Sequence, residues 1–426
     1  MKKFFPCLPF SFKELPGFPQ IFIIFFAYLI GNFCNYCYQI YVGRILGPEE
    51  YGEFGSLFAI IYLIFIFGYT IQLGIAWKTT KILVNNKNSA MGGFIHQLLK
   101  KGFLVSIIFF IIFFLISPFI GIFLNYYNNF DFFLLGLVII CTFLLSITLG
   151  IIQGLQKQIT LSLLNIVTYF PKLLFAIIFL SWGLGLSGAL AAQPLGMLVA
   201  FLLSFLPLLS YLRQNTNQDL IDLGDVYYYS IPTFIVMICL AVPSNVDLII
   251  AKHLYNNYDT GLYVAASIIG KIVLFISATI SILIFPKSSE YSFLGKDTFT
   301  LYNYSLLYTL ILSGLTSIIF IAFPNTIEII FGMNYSAGRW IVQSYVILML
   351  IFSLIWVTAH YSLAVRKFGY TIILSLFTII EIAALLIFQP TMRNMLLMLI
   401  CFNLVLFIIG YIYLYQNNTK LGIVEI

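Results

Sequence analysis

The sequence predicts an all-α integral membrane protein with about twelve transmembrane helices in two repeated six-helix lobes. Three observations predict it. Of 426 residues, 62% are hydrophobic and only 8% are charged, against about a quarter charged in an ordinary soluble domain. Charged, Gly, Pro and Asn breaks cut the chain into runs of the ~20 apolar residues that a ~30 Å hydrocarbon core requires. The chain also repeats itself at an offset of 208–210 residues, the mark of six helices repeated.

In order, the apolar runs fall at 18–43, 53–76, 102–124, 131–153, 162–182, 184–210, 228–251, 260–285, 304–324, 338–361, 370–389 and 394–414. The first is too long, and too plainly followed by others, for a cleaved signal peptide. The turn after it has a mechanical sense: Gly47 lets the chain leave the helix, Pro48 suits the first position of the next, and Glu49 and Glu50 favour its amino end. Along span six, Gly188, Ala192 and Gly196 recur every four residues and form a face for close helix packing.

The repeat is read from two stretches. QIYVGRILGPEEYGEFG from Gln39 aligns with DLIIAKHLYNNYDTGLY from Asp247, so that Gln39 pairs with Asp247, Arg44 with Lys252, Gly52 with Gly261 and Phe54 with Tyr263. QGLQK ending at Lys157 aligns with LAVRK ending at Lys367. Residues 1–210 then form the amino-terminal lobe, 211–227 a polar linker, and 228–426 the carboxy-terminal lobe.

Lys and Arg orient the chain. With a cytoplasmic amino terminus, the inner segments hold fifteen of the 21 basic residues. The outer loops hold only Arg44, Lys252, Arg339 and Arg393, and Lys172 and Lys271 fall inside spans. Both termini are therefore expected in the cytoplasm. The net charge of +6 reflects this topology and contact with anionic headgroups of membrane lipids, with no nucleic-acid partner.

A lysine at mid-membrane costs roughly 2.5–3.5 kcal/mol on insertion scales, so it needs a use. Span one carries a polar face of Tyr28, Asn32, Asn35 and Gln39, crowned by Arg44. Span five repeats the pattern with Ser162, Asn165, Tyr169 and Lys172, and span eight carries Ser267 and Lys271. Such a stripe is either a helix seam or a water-facing wall. The repeat places an acid, Glu381, near the counterpart of Lys172, and Asp247 lies near the outer end of span seven. Glu381 is either a coupling-ion group or a structural group bonded within its own lobe, and Asp247 either a coupling-ion ligand or a cap for neighbouring backbone.

Other chemistry is poorly represented. Cys34 and Cys37 lie in an apolar helix without the soluble context of a redox pair, and the three histidines are far apart, which argues against a metal. Asp219, Asp222 and Asp225 in the linker read as solvated acids. The longer loops, 77–101, 211–227 and 286–303, hold no catalytic constellation, and nothing marks a covalent cofactor.

Arg44-Ile-Leu-Gly-Pro-Glu-Glu-Tyr-Gly52 resembles the signature after the first helix of the polysaccharide exporters of the MATE-like superfamily, the O-antigen and capsule-repeat-unit flippases. IIQGLQK (151–157), GLGLSGALAA (183–192), YYYSIP (227–232), Asp247, GLYVAA (261–266) and IIFGMNYSAG (329–338) follow in the same order. The resemblance runs from about residue 18 to about 412. It implies two six-helix lobes facing a central cavity, lined mainly by spans one, two, seven and eight and opening alternately to either side. It implies a substrate of oligosaccharide on a polyprenyl pyrophosphate carrier, moved from the cytoplasmic to the outer leaflet of the cell membrane by a protein that is not an enzyme.

On that footing the expected substrate-binding residues are Lys271, Lys172, Arg44, Asn32, Asn35, Gln39 and Asn165, with Lys271 foremost because span eight lines the cavity. Glu381 and Asp247 are the expected sites for a coupling cation, proton or sodium. A polysaccharide synthase or polymerase is a candidate partner. Rival readings are an ion-coupled small-molecule antiporter on the same fold, against which the cationic centre argues, a membrane enzyme of polysaccharide assembly, which lacks an extramembrane domain here, and a transport-dead scaffold.

Overall fold

The computed structural model describes residues 18–84, 91–212, 224–293, 297–365, 367 and 369–419. Most of the expected linker, at 213–223, with Asp219 and Asp222, lies outside them. Every expected span is built as helix. The first two lie in α1 (Phe18–Val84), which breaks at Gly47 with φ 72°, a left-handed value that favours glycine. Then come α2 (Met91–Leu124), α3 (Asn129–Gly154), α4 (Gln158–Ser181), α5 (Gly185–Ser204) and a short α6 (Leu209–Leu212). The second half runs through α7 (Gly224–Ala241), α8 (Val246–Leu254), α9 (Asn257–Phe293), α10 (Thr298–Ala322), the short α11 (Thr326–Phe331), α12 (Arg339–Ala364), α13 (Gly369–Phe388) and α14 (Met392–Thr419). Among the described residues, ten helices are long and apolar enough to cross a membrane, α1 counting once, and no residue is in a strand.

Two features depart from the sequence reading. The seventh span is broken: α7 stops at Ala241 and α8 starts at Val246. Pro243 cannot donate a backbone hydrogen bond and clashes with the preceding turn. The Ala241 carbonyl near the break is satisfied by Ser244 Oγ at 2.9 Å and Asn245 Nδ2 at 3.0 Å, the kind of side-chain substitution that membrane helices need at a break. The expected loop at 77–101 is also mostly helix, because Met91, Phe94, Ile95 and Leu98 on the first turns of α2 are buried against Ile75, Ile82, Ile147 and Ile151. Apolar contact thus carries α2 beyond the length hydrocarbon demands. On the same side of the chain's expected topology, Asp297 caps α10 by accepting from the N–H groups of Phe299 and Thr300, and its hydrogen bonds with Thr300 hold its carboxyl below the usual carboxylate range.

The chain divides into two compact units. The first comprises Met1–Gln39, Phe67–Ser117 and Asn128–Pro232. Here α5 crosses α4 at Gly196, where an added Cβ would stand 2.7 Å from both Lys172 Cβ and the Thr168 carbonyl. The Tyr38 hydroxyl ties α1 to α5 by donating to the Ala189 carbonyl at 2.9 Å.

The second unit comprises Ile40–Ile66, Pro118–Tyr127 and Thr233–Ile426, so the end of span one and the start of span two group with the second half of the chain. Repeat counterparts meet inside it. An added Cβ on Gly52 would lie 2.8 Å from the Gly261 nitrogen, and one on Gly55 would lie 2.3 Å from Val264. Lys271 stands over the ring of Tyr62 at 5.4 Å. Each pair is separated by 209 positions, so α9 packs against its own counterpart in α1. Further ties are the Tyr335 hydroxyl to the Gly43 carbonyl at 2.6 Å and Asn257 Nδ2 to Glu53 Oε1 at 2.7 Å.

The contact at Gly261 is the tightest: an added Cβ would sit 1.8 Å from the Pro48 carbonyl oxygen. Gly261→Ala is expected to destabilise the protein by about 1–3 kcal/mol, lowering its melting temperature in detergent. Gly314→Ala, with nothing within 4 Å of the new carbon, is expected to leave it unchanged or raise it. Equal melting temperatures for the two variants would contradict this packing.

Candidate functional site

Two intramembrane lysines, one in each unit, are held in similar ways. In the first unit Lys172 lies on α4 immediately after Pro171 and is 1% exposed. Its ammonium donates to Asn35 Oδ1 at 2.8 Å and stands 3.8 Å from the ring centroid of Tyr38 and 5.7 Å from that of Tyr169. A charge-assisted hydrogen bond and desolvated cation–π contacts are what make such burial tolerable. Gly31 leaves room beside it for Asn165, whose Oδ1 would be 2.0 Å from a Cβ at that position. Asn165 Oδ1, Gln39 Nε2 and Gln193 Oε1 are buried without hydrogen-bond partners, while Asn32 is exposed.

In the second unit Lys271, on α9, is 8% exposed and donates to Asn245 Oδ1 at 3.0 Å. Asn245 sits in the break between α7 and α8, so the broken helix supplies the ammonium's partner. Asp247, in the first turn of α8, is 4% exposed. Its Oδ2 accepts the hydroxyls of Tyr263 at 3.0 Å and Tyr345 at 2.8 Å, while Oδ1 has no partner. Glu381 on α13 is 6% exposed and accepts from Asn403 Nδ2 at 3.0 Å, and Asn403 Oδ1 is also without a partner. Carboxylate and amide oxygens of this kind suit a proton or a small hard cation. Among the described residues no group of three or more His, Cys, Asp or Glu gathers as a metal site.

Arg44 has a different setting. Its guanidinium donates to the carbonyls of Ile329 and Ile330 and so satisfies the last turn of α11, a usual place for a cation. Another cation, Arg339, pairs with Glu328, whose carboxyl it holds below the usual range. The structure therefore brings together Asn35, Asn165 and Lys172 in one unit and sets Lys271 beside Asp247 through Asn245 in the other. The sequence reading missed Asn245, Tyr62, Tyr263, Tyr345 and Asn403. Of these, only Asn245 carried a local signal, the V-P-S-N break inside an apolar run.

Comparison with known proteins bears on the family and the fold. A family model described as polysaccharide biosynthesis protein matches residues 19–292. An uncharacterised membrane protein of Methanocaldococcus jannaschii is 26% identical over 270 residues, a match that spans 60% of this chain and 63% of that protein. Among solved structures, an inward-facing multidrug resistance MATE family transporter of the MOP superfamily superposes with a TM-score of 0.82 at 13% identity, over 93% of this chain and 96% of that one. The lipid II flippase MurJ, in an inward closed conformation, gives 0.69 at 14% identity over 93% and 87%. A MOP superfamily transporter from Pyrococcus furiosus gives 0.60 at 14% identity over 94% and 96%. The chain has the MATE-like transporter fold and is a multi-pass membrane protein.

The cage around Lys172 can be tested alone. Asn35→Ala leaves a buried ammonium short of an acceptor and is expected to cost about 1.5–3 kcal/mol. Lys172→Met removes the charge with similar volume and is expected to cost less, and the double variant should be more stable than Asn35→Ala alone. Thermal unfolding in detergent checks this; strictly additive losses would contradict the pairing.

Proposed function

Because the chain belongs to the polysaccharide biosynthesis protein family, we propose that it is a flippase carrying a polyprenyl-pyrophosphate-linked oligosaccharide from the cytoplasmic to the outer leaflet by alternating access, with both termini in the cytoplasm. The observation that carries the reading is Lys271: a mid-span ammonium whose hydrogen bond goes to a neutral amide at a helix break. A phosphate oxygen is a stronger acceptor than an amide oxygen, and lysine presents a mobile point charge. Pyrophosphate therefore displaces Asn245 and takes the ammonium. The prenyl chain stays in lipid, and sugar hydroxyls, each costing on the order of 2–7 kcal/mol to strip of water without a partner, travel along polar side chains.

Asp247 and Glu381 serve as the coupling groups. The bare Asp247 Oδ1 and Asn403 Oδ1 support a proton or sodium ion at this place, whose arrival shifts the populations of two conformations only as far as it binds one better. Lys172 is the fixed charge of its unit, and Arg44 acts through the outer turn that it ties to α11.

The test is translocation of a fluorescent polyprenyl-pyrophosphate oligosaccharide in vesicles containing the purified protein. Wild type is expected to move it and Lys271→Ala to lose at least about tenfold in rate, the loss of one hydrogen bond to a charged group. Glu381→Gln is expected to remove the dependence on pH or sodium. Transport of an organic cation with no movement of the lipid would instead establish the antiporter.

A further inference from the structure

We propose that the polar face of the first unit, formed by Tyr28, Asn32, Asn35, Tyr69, Asn165 and Tyr169, is a carbohydrate subsite for uncharged sugars, separate from the phosphate-holding Lys271. The proposal rests on the flippase reading and adds the chemical class of the sugar. Tyr28 and Tyr69 are 36% and 47% exposed, and both Tyr69 and Tyr169 lie within electrostatic range of the Tyr28 hydroxyl. Asn32 is exposed, and Asn35 and Asn165 are half-buried, with Asn165 lying against Gly31 of α1. The face thus gathers three phenols and three carboxamides from both limbs of α1 and from α4, in a region where a lipid-facing surface would carry none of the amides.

The groups match sugar chemistry. A pyranose offers hydroxyls that both donate and accept, and a face of C–H bonds. Carboxamides donate and accept in pairs, and aromatic rings give an apolar platform with a polar tip. Asn165 adds a buried, unpartnered Oδ1.

The same face is poorly made for a charged sugar. Among the described residues, the cation beside it is Lys172, which is 1% exposed and engaged by Asn35 Oδ1 at 2.8 Å and the Tyr38 ring at 3.8 Å. A uronate would have to break that cage. A cationic sugar or drug fares no better, since in the first unit the one carboxylate with a described side chain is Asp131, in the first turn of α3 and bonded to Asn128. Neutral hexoses and N-acetylhexosamines remain.

Saturation-transfer NMR on the purified full-length protein, with soluble trisaccharides as probes, tests this. A neutral trisaccharide of hexose and N-acetylhexosamine is expected to receive saturation at its ring C–H protons, and one of equal length ending in a uronic acid to receive little. Tyr69→Ala is expected to weaken the neutral probe's binding about three- to tenfold, the worth of one aromatic contact. Tyr69→Phe should retain most of it, which separates stacking from misfolding, and Tyr304→Ala, an exposed tyrosine on α10, should match wild type. Equal or stronger binding of the uronate, or no effect of Tyr69→Ala, overturns the subsite. No transfer to the neutral probe, in a protein that still moves the lipid-linked oligosaccharide in vesicles, overturns it too and leaves the flippase standing. Loss of both activities overturns the two together.

Discussion

An ammonium inside hydrocarbon has to be solvated by the protein or neutralised, and both intramembrane lysines of this chain are solvated by a tyrosine ring and an amide oxygen. Around Lys172 the cage is complete: Asn35, Tyr38 and Tyr169 surround a residue that is 1% exposed. Around Lys271 the cage is hung on a break in a helix, with Asn245 the acceptor and Tyr62 the ring. Two solutions to one physical problem thus differ in what would have to move to release the charge. For Lys172 it is the packed seam of α4 against α5 at Gly196. For Lys271 it is one side chain in a four-residue interruption whose backbone is already served by side chains.

The repeat gives this difference its geometry. Gly52 with Gly261, Gly55 with Val264, and Tyr62 with Lys271, each pair 209 positions apart, pack together inside the second unit. Lys271 thus lies where α9 packs on α1, while Lys172 and its counterpart Glu381 are each held by an asparagine of their own unit, Asn35 and Asn403. The second unit holds Lys271, Asp247 and Glu381 buried with neutral partners, and the first unit holds Lys172 in the same manner.

Much of this was legible in the sequence. The spans follow from runs of apolar residues, and the turn at Gly47 from a glycine before a proline and two acids. The pairing of Gly52 with Gly261 was visible as a repeat, although only the structure shows the two glycines touching. The broken seventh helix carried a local signal in Val-Pro-Ser-Asn at 242–245, but apolar residues flank it on both sides, so hydropathy reads the buried break as one span. The extension of α2 was not legible, because its Phe94 and Ile95 are apolar for packing and not for lipid. The partners of the lysines were hidden for a different reason: Asn35 lies 137 positions from Lys172, and the acceptor of Lys271 was a residue in a turn the sequence reading had made helix.

The account stands on Lys271 being the charge that holds pyrophosphate while Lys172 stays caged. The most direct measurement is the dissociation constant of a sugar-free polyprenyl pyrophosphate for the purified protein in nanodiscs, comparing wild type, Lys271→Gln and Lys172→Met. The account predicts binding weakened about tenfold or more in Lys271→Gln, as for loss of a charge-assisted hydrogen bond, and close to wild type in Lys172→Met. Binding that survives in Lys271→Gln and is lost in Lys172→Met would contradict it.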